Sequence, residues 1–304
     1  MAETPYLSVY GHVTIDQIMS VNRFPNLNES VNILSKHTLL GGTGTNISIS
    51  AAKLGVPTAL CAFIGDDFPK MLMDEILESN VITDDLVVAE GYESSSAMVI
   101  NNQEMEQEVY FYQGPQGSAT KIGKYLTDSA RKSKFVHFCT GEPDYYLGVI
   151  GRLSDCGNVI AMDPAQEVYK LWDSARMKAT LELSDYLFCN EFEARIIEEY
   201  LGVKDVMDVE RDVVIRTEGA AGGTAKVKGE VFKFPAVKGE AFVDATGAGD
   251  NFRAGFYSGL YHGYDMYDSI ILASVVSSFV VEKVGALTNV PTWDMVLKRA
   301  KGRL

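Results

Sequence analysis

Apolar and polar positions alternate along this chain with two different periods, and the places where the period changes predict its layout. Residues 6–10, apolar but for Ser8, have the pattern of a short buried strand ending at Gly11. Gly41-Gly42 opens residues 43–54, whose small side chains recur at helical spacing, as on a helix packed closely against a sheet. A strand over 58–64 and a helix over 69–79 follow. The rhythm resumes with strands at 135–139, 159–162, 186–188 and 213–216, separated by helices at 145–153, 174–183 and 191–200. Residues 226–232 read as an edge hairpin, and 248–262, 266–283 and 292–301 as helices.

Strands separated by helices predict an α/β fold with a central, mostly parallel, doubly wound sheet flanked by helices. Two stretches break the rhythm. Residues 12–40 are β-prone but interrupted by Pro25 and several asparagines, and residues 86–113 read as successive strands with a turn at Asn101-Asn102. Each is too short to fold separately, so together they are expected to form a small β-sheet lid on one domain spanning 1–304.

The charge balance narrows the partners. With 27 basic and 41 acidic side chains the formal charge is −14, which predicts no nucleic-acid partner and no membrane association. No basic leader followed by an apolar core opens the chain, and no apolar run reaches the length of a membrane span. Cys61, Cys139, Cys156 and Cys189 are widely spaced without a Cys-x-x-Cys pair, as expected of free thiols in a cytoplasmic protein. An acidic protein can still bind ATP where backbone N–H groups and a divalent cation handle the phosphates.

The chemistry concentrates at Asp244-Ala245-Thr246-Gly247-Ala248-Gly249-Asp250, where a polar glycine turn runs straight into an apolar helix. Asp250 is the candidate catalytic base: a hydroxyl attacking a phosphoryl group must lose its proton, and a carboxylate can accept it. Gly247 and Gly249 allow tight turning and close approach, and the N–H groups of 247–250 can face developing negative charge. The bland alternative is an acidic cap above two packing glycines. Asn190 and Glu193 follow the strand at 186–188 and have capping-box spacing; the same groups could hold a hydrated Mg2+. Thr217, Gly219 and Gly222 end the strand at 213–216 in a turn able to follow a nucleotide, or in an ordinary β-turn. Asp16 could bind a pair of sugar hydroxyls or simply cap local backbone, and Asn46, at the start of the helix after Gly41-Gly42, could supply a matching polar contact. Neither glycine stretch is a Walker A loop, since both lack the final Gly-Lys-Ser/Thr.

These segments, in this order, resemble the ribokinase-type (PfkB-type) small-molecule kinases over nearly the full chain. The marks are Gly11…Asp16, Gly41-Gly42 with Asn46, Asn190-x-x-Glu193, Thr217-x-Gly219-x-x-Gly222 and Asp244-x-Thr246-Gly247-Ala248-Gly249-Asp250. The resemblance implies ATP and Mg2+ as cofactors, Asp250 as general base and 247–249 as anion hole. It implies Asn190 and Glu193 around Mg2+ through water, and Thr217, Gly219 and Gly222 beside ATP. Adenine would then lie between 217–222 and the helix around Ala273 to Ser277. Asp16, Gly42 and Asn46 would hold the acceptor, and the lid could also serve as a homodimer surface. Ribokinase-like members often have Gly-Gly-Lys-Gly-Ala-Asn where this chain has Thr43 and Thr45, which weakens ribose as the acceptor.

The stretch Val109-Tyr110-Phe111-Tyr112-Gln113-Gly114 resembles the Phe-Tyr-x-Gly stretch of nucleoside and adenosine kinase-like members. Tyr112 is expected to stack on a base, with Gln107 or Gln113 pairing with its polar edge; the alternative is a strand whose aromatics simply pack the lid. The expected reaction is phosphorylation of a nucleoside's ribose 5′-hydroxyl. A sugar or sugar-acid kinase is the alternative, and a regulatory binding protein on the same fold the competing class.

Overall fold

The structure, a computed structural model, describes residues 4–104 and 106–304; Met1-Ala2-Glu3 and Met105, the latter inside the predicted lid span, lie outside the described residues. In chain order β1 (Leu7–Tyr10) is followed by β2 (Thr14–Val21), β3 (Ile33–Gly41) and α1 (Thr43–Lys53). Next come β4 (Thr58–Gly65), α2 (Lys70–Glu78), β5 (Leu86–Ala89), β6 (Ser96–Asn101), β7 (Gln107–Tyr112) and the short α3 (Ala119–Ile122). The second half alternates: β8 (Phe135–Phe138), α4 (Pro143–Leu153), β9 (Val159–Met162), α5 (Ser174–Glu182), β10 (Tyr186–Asn190), α6 (Glu191–Leu201) and β11 (Val213–Thr217). A hairpin of β12 (Gly223–Val227) and β13 (Glu230–Phe234) precedes α7 (Ala248–Tyr261), α8 (Met266–Val280) and α9 (Trp293–Ala300).

Among the described residues the large sheet has nine strands in the order β13-β12-β11-β10-β9-β8-β1-β4-β5, parallel from β11 to β5. Its inner strands, among them β1, β4 and β8, are buried on both faces, so alternate residues feed two layers of core. Val136 and Phe138 of β8 enter one layer with Tyr145 and Val149, while Phe135 enters the other with Phe256 and Tyr257. The edge hairpin turns at Lys228 and Gly229, both at positive φ, a geometry that matches strand twist.

The small sheet has the order β3-β2-β6-β7, with β2 and β6 parallel and the outer pairs antiparallel. It draws on both predicted insertions, with one correction. Residues 86–89 pair with β4 and extend the large sheet; the second insertion reaches the small sheet only from Ser96. Val87 is partly buried against the large core, which places this run at the edge of the main layer.

Helix packing positions the glycine turn. A Cβ on Gly255 of α7 would meet Ala273 Cα of α8 at 2.8 Å, and one on Gly259 would meet Ser269 Cα at 2.8 Å. Two glycines one turn apart thus let α8, apolar nearly all round, lie against α7 and fix where the N-terminus of α7 points.

Candidate active site

The site lies where parallel strands end. Asp163 follows β9, Asn190 ends β10 and Thr217 ends β11, with Asn190 and Thr217 side by side in register. Crevices beyond the carboxyl ends of strands are where open α/β sheets bind ligands.

Gly247 caps α7 in the left-handed region at φ +72, and any Cβ there would overlap the Ala286 side chain. Two side chains pin this turn to the 285–286 loop. Asp244 accepts from Thr246 N at 2.9 Å, from Thr246 Oγ1 at 2.7 Å and from Gly285 N at 2.9 Å. Asn251 donates to Gly247 O at 2.8 Å and to Ala286 O at 3.0 Å. Burial opposes ionisation of Asp244, but those N–H and hydroxyl donors hold it below the usual carboxylate range. One expectation changes here. Ala248 N–H is spent on Ala245 O at 3.1 Å, so the N–H groups left without an intramolecular partner are those of Gly247, Gly249 and Asp250.

Asp250 sits in the first turn of α7 and accepts from Asn46 Nδ2 at 2.8 Å. Asn46 is buried on α1, whose start needs Gly42: at φ +96 a Cβ would overlap the His12 carbonyl. Asp16 lies on β2, within a strand rather than on a loop, and accepts from Thr14 Oγ1 at 2.6 Å. Burial raises the Asp16 carboxyl above its ordinary value despite that bond. Burial also pushes Asp250 up to about 6; Asn46 and Arg253 oppose the rise, while Asp163 and Asp16 add to it.

Asn190 and Glu193 form a complete capping box on α6. Asn190 Oδ1 accepts from Phe192 N and Glu193 N, and Glu193 accepts from Asn190 N at 2.7 Å and Asn190 Nδ2 at 2.8 Å. Glu193 is buried, which pushes its carboxyl up to about 7, with repulsion from Asp163 adding to the rise. At the end of β11, Gly222 at φ +94 lies against the Phe234 carbonyl with no room for a Cβ, and Gly219, also at positive φ, faces open space.

The register of the small sheet decides which lid residues share a face. Asp16 pairs with Ala97, Ala97 with Phe111, and Asp16 with Leu39, so these four project from one face. That face looks toward the site: Phe111 meets the His12 ring edge-on at 5.2 Å, and Leu39 lies beside the Gly285 turn. Tyr112 is on the opposite face with Tyr110 and Glu108. Tyr112, expected to stack on a ligand, therefore faces away from Asp16, and Phe111 is the aromatic residue on the Asp16 face. Gln107 shares the Asp16 face but lies at the far end of β7, exposed and donating to Asn101 Oδ1 at 3.0 Å. Gln113 donates to Glu167 Oε1 at 2.7 Å. Ala273 is likewise corrected: it is fully buried against Gly255 and presents no surface to a ligand. Ser277, one turn on, is partly open and donates to Ala248 O at 2.8 Å.

Residues 4–293 match the model of the pfkB family carbohydrate kinases. The chain belongs to the pfkB family. It is 31% identical over 302 residues to a nucleoside kinase of Methanothermobacter thermautotrophicus, covering 98% of this chain and 96% of that one. It is 30% identical over 295 residues to a nucleoside kinase of Methanocaldococcus jannaschii, covering 96% of each. The crystal structure of the Methanocaldococcus jannaschii nucleoside kinase, described as an archaeal member of the ribokinase family, superposes with a TM-score of 0.89 at 27% identity, covering 98% of this chain and 99% of that one.

This pfkB-family chain is thus an ATP-dependent small-molecule kinase with the ribokinase fold. Among its described residues no helix is long and apolar enough to cross a membrane. Sequence reasoning missed two features of its site. Arg253 donates through Nε to Asp163 at 2.7 Å. Glu167 accepts from Gln113 Nε2 and from Gly141 N, each at 2.7 Å, and so ties the two together. The Asp163–Arg253 and Gln113–Glu167 pairs span 90 and 54 residues and carry no local signal.

Proposed function

We propose that the chain transfers the γ-phosphoryl group of ATP to the ribose 5′-hydroxyl of a nucleoside, with Asp250 as general base. The observation that carries the reading is the 2.8 Å bond from Asn46 to Asp250, with the Asp16 carboxylate close enough to repel that of Asp250. Asp16 and Asn46 would hold the ribose hydroxyls, leaving the 5′-hydroxyl near Asp250. Asp250 takes its proton as the oxygen attacks, and the N–H groups of Gly247, Gly249 and Asp250 face the charge on the transferred group. Closure of the small sheet would exclude water that competes for the phosphoryl group. Thr217, Gly219, Gly222 and Ser277 would border the nucleotide.

Among the described residues no cluster of His, Cys, Asp and Glu forms a metal cage. The donor set at Asn190 and Glu193, already engaged with itself, fits a hydrated Mg2+ held through water, with phosphate oxygens as its remaining ligands. Bound there, the ion would supply positive charge to the β- and γ-phosphates.

The nucleoside assignment is supported by the named relatives and by Phe111, an aromatic ring on the Asp16 face able to stack on a base. A free sugar is the second reading, because Asp16 and Asn46 would hold hydroxyls of either. Three cations that could receive a sugar phosphate are otherwise placed: Arg23 pairs with Glu29, Lys36 lies on the opposite face of the small sheet, and Arg253 pairs with Asp163. The outer face exposes Met98, Tyr110 and Tyr112, which fits a second copy of this chain, as sedimentation would test.

The deciding experiment is ADP release with ATP and Mg2+ over a panel of common nucleosides, ribose, fructose, a sugar acid and fructose 6-phosphate. Turnover highest with a nucleoside supports the reading; turnover confined to free sugars or sugar phosphates removes it.

A further inference from the structure

Beneath the Asp250 turn lies a buried chain of polar groups that phosphoryl transfer itself does not use. The Tyr257 hydroxyl pairs with His137 Nδ1 at 2.8 Å, and His137 Nε2 lies 3.5 Å from Asp163 Oδ2. Arg253 donates through Nε to Asp163 Oδ2 at 2.7 Å, through Nη2 to Asp163 Oδ1 at 3.3 Å, and through Nη1 to Gly249 O at 3.2 Å. All four side chains are essentially closed to solvent, Arg253 being 5% exposed. Burying an ion pair costs several kcal/mol per ion and adds little net stability over apolar packing. Stability alone therefore does not explain why a cation sits here.

Its surroundings do. The carboxylates of Asp163, Glu193 and Asp250 converge on Arg253 from β9, α6 and α7. Asp163 takes the guanidinium fork, so Arg253 cannot swing out to a substrate phosphate. Asp250 lies one helical turn before it on the same face of α7.

We propose that Arg253 is a positioning residue of the phosphoryl-transfer site: clamped by Asp163, it anchors the Gly249 carbonyl and supplies the fixed cation that keeps Asp250 a carboxylate. This rests on the reading of Asp250 as base. The charged and titratable groups facing Asp250 are Asp16 from β2, Asp163 after β9, Glu193 from α6, Cys139 after β8 and Arg253, with Asn46 of α1 as neutral donor. Cys139 is an uncharged thiol because burial pushes it up, and burial keeps His137 neutral behind Asp163. Arg253 is the cation of the set.

The test is the titration of Asp250 followed by carboxyl 13C NMR, the resonance being identified by its loss in Asp250→Asn. Arg253→Met should move the midpoint upward by about one pH unit or more, and Asp163→Asn should move it downward by roughly half a unit, because it removes a repelling neighbour and frees the cation. Arg253→Lys keeps the charge and loses the fork, so its midpoint should stay while kcat at pH 8 falls about tenfold. Unmoved midpoints in Arg253→Met and Asp163→Asn, or full kcat in Arg253→Lys, overturn the proposal. Should Arg253→Met fail to fold, Asp163→Asn and Arg253→Lys decide by the same criteria. A wild-type protein that turns over no acceptor would remove the kinase reading instead, a result the NMR titration does not depend on.

Discussion

Asn46 donates a 2.8 Å hydrogen bond to Asp250 across 204 residues of sequence, joining the first glycine segment to the last. Asp250 acts as a base only when ionised, and burial pushes its carboxyl up to about 6, so kcat/KM should rise with pH to about 6 and then level. Asn46 stabilises the ionised form, and Asn46→Ala should therefore shift that acidic limb to higher pH. Asp250→Asn should lower kcat by about 10²–10⁴-fold while ATP binding, read by calorimetry, is retained. Its folded carboxyl holds a proton to higher pH than an unfolded Asp. The group thus stabilises the native state below the unfolded value and loses that contribution as pH rises to about 6, so Asp250→Asn should not lower the Tm at pH 8.

Phe111 and Tyr112 are neighbours on opposite faces of β7. If a base stacks on Phe111, Phe111→Ala should raise the nucleoside KM about threefold to tenfold. Tyr112→Ala should leave it unchanged. Steady-state kinetics with one nucleoside distinguishes them, and the reverse pattern would return the stacking role to Tyr112.

Gly247 combines a left-handed conformation with contact against Ala286. Gly247→Ala should cost about 1–3 kcal/mol in a denaturant melt and lower kcat as the turn shifts. Gly219→Ala, at a similar φ but facing open space, should cost less.

Glu193 serves as cap and as a candidate for holding hydrated Mg2+. Glu193→Gln keeps an acceptor for Asn190 and removes the negative charge. It should leave the Tm within a few degrees and raise the half-saturating Mg2+ concentration several-fold in an ADP-release assay; an unchanged Mg2+ requirement would leave the capping box as the whole role of Glu193.

The doubly wound sheet was legible because strands buried on both faces read as continuous apolar runs, and helix-period segments separate them. The turn at 244–250 was legible because glycines, flanking acids and a helix start are local. Three things were not. Whether Phe111 or Tyr112 faces the site depends on β7 pairing with β6 and β6 with β2, which alternation within one strand cannot supply. The Asp163–Arg253 pair is set by where β9 ends beneath α7, ninety residues later. Residues 86–89 pattern like the small sheet that follows, and only pairing with β4 assigns them to the large one. Ala273 shows the same limit from the other side: its position on α8 was foreseen, but its burial follows from Gly255 opposite.

The most direct measurement is 31P NMR of the product formed from ATP, Mg2+ and a nucleoside. The account predicts ADP and nucleoside monophosphate in equal amounts, the new phosphorus coupled to the two 5′ protons. Phosphate on another hydroxyl, or transfer to ribose or fructose 6-phosphate with none to any nucleoside, would contradict it.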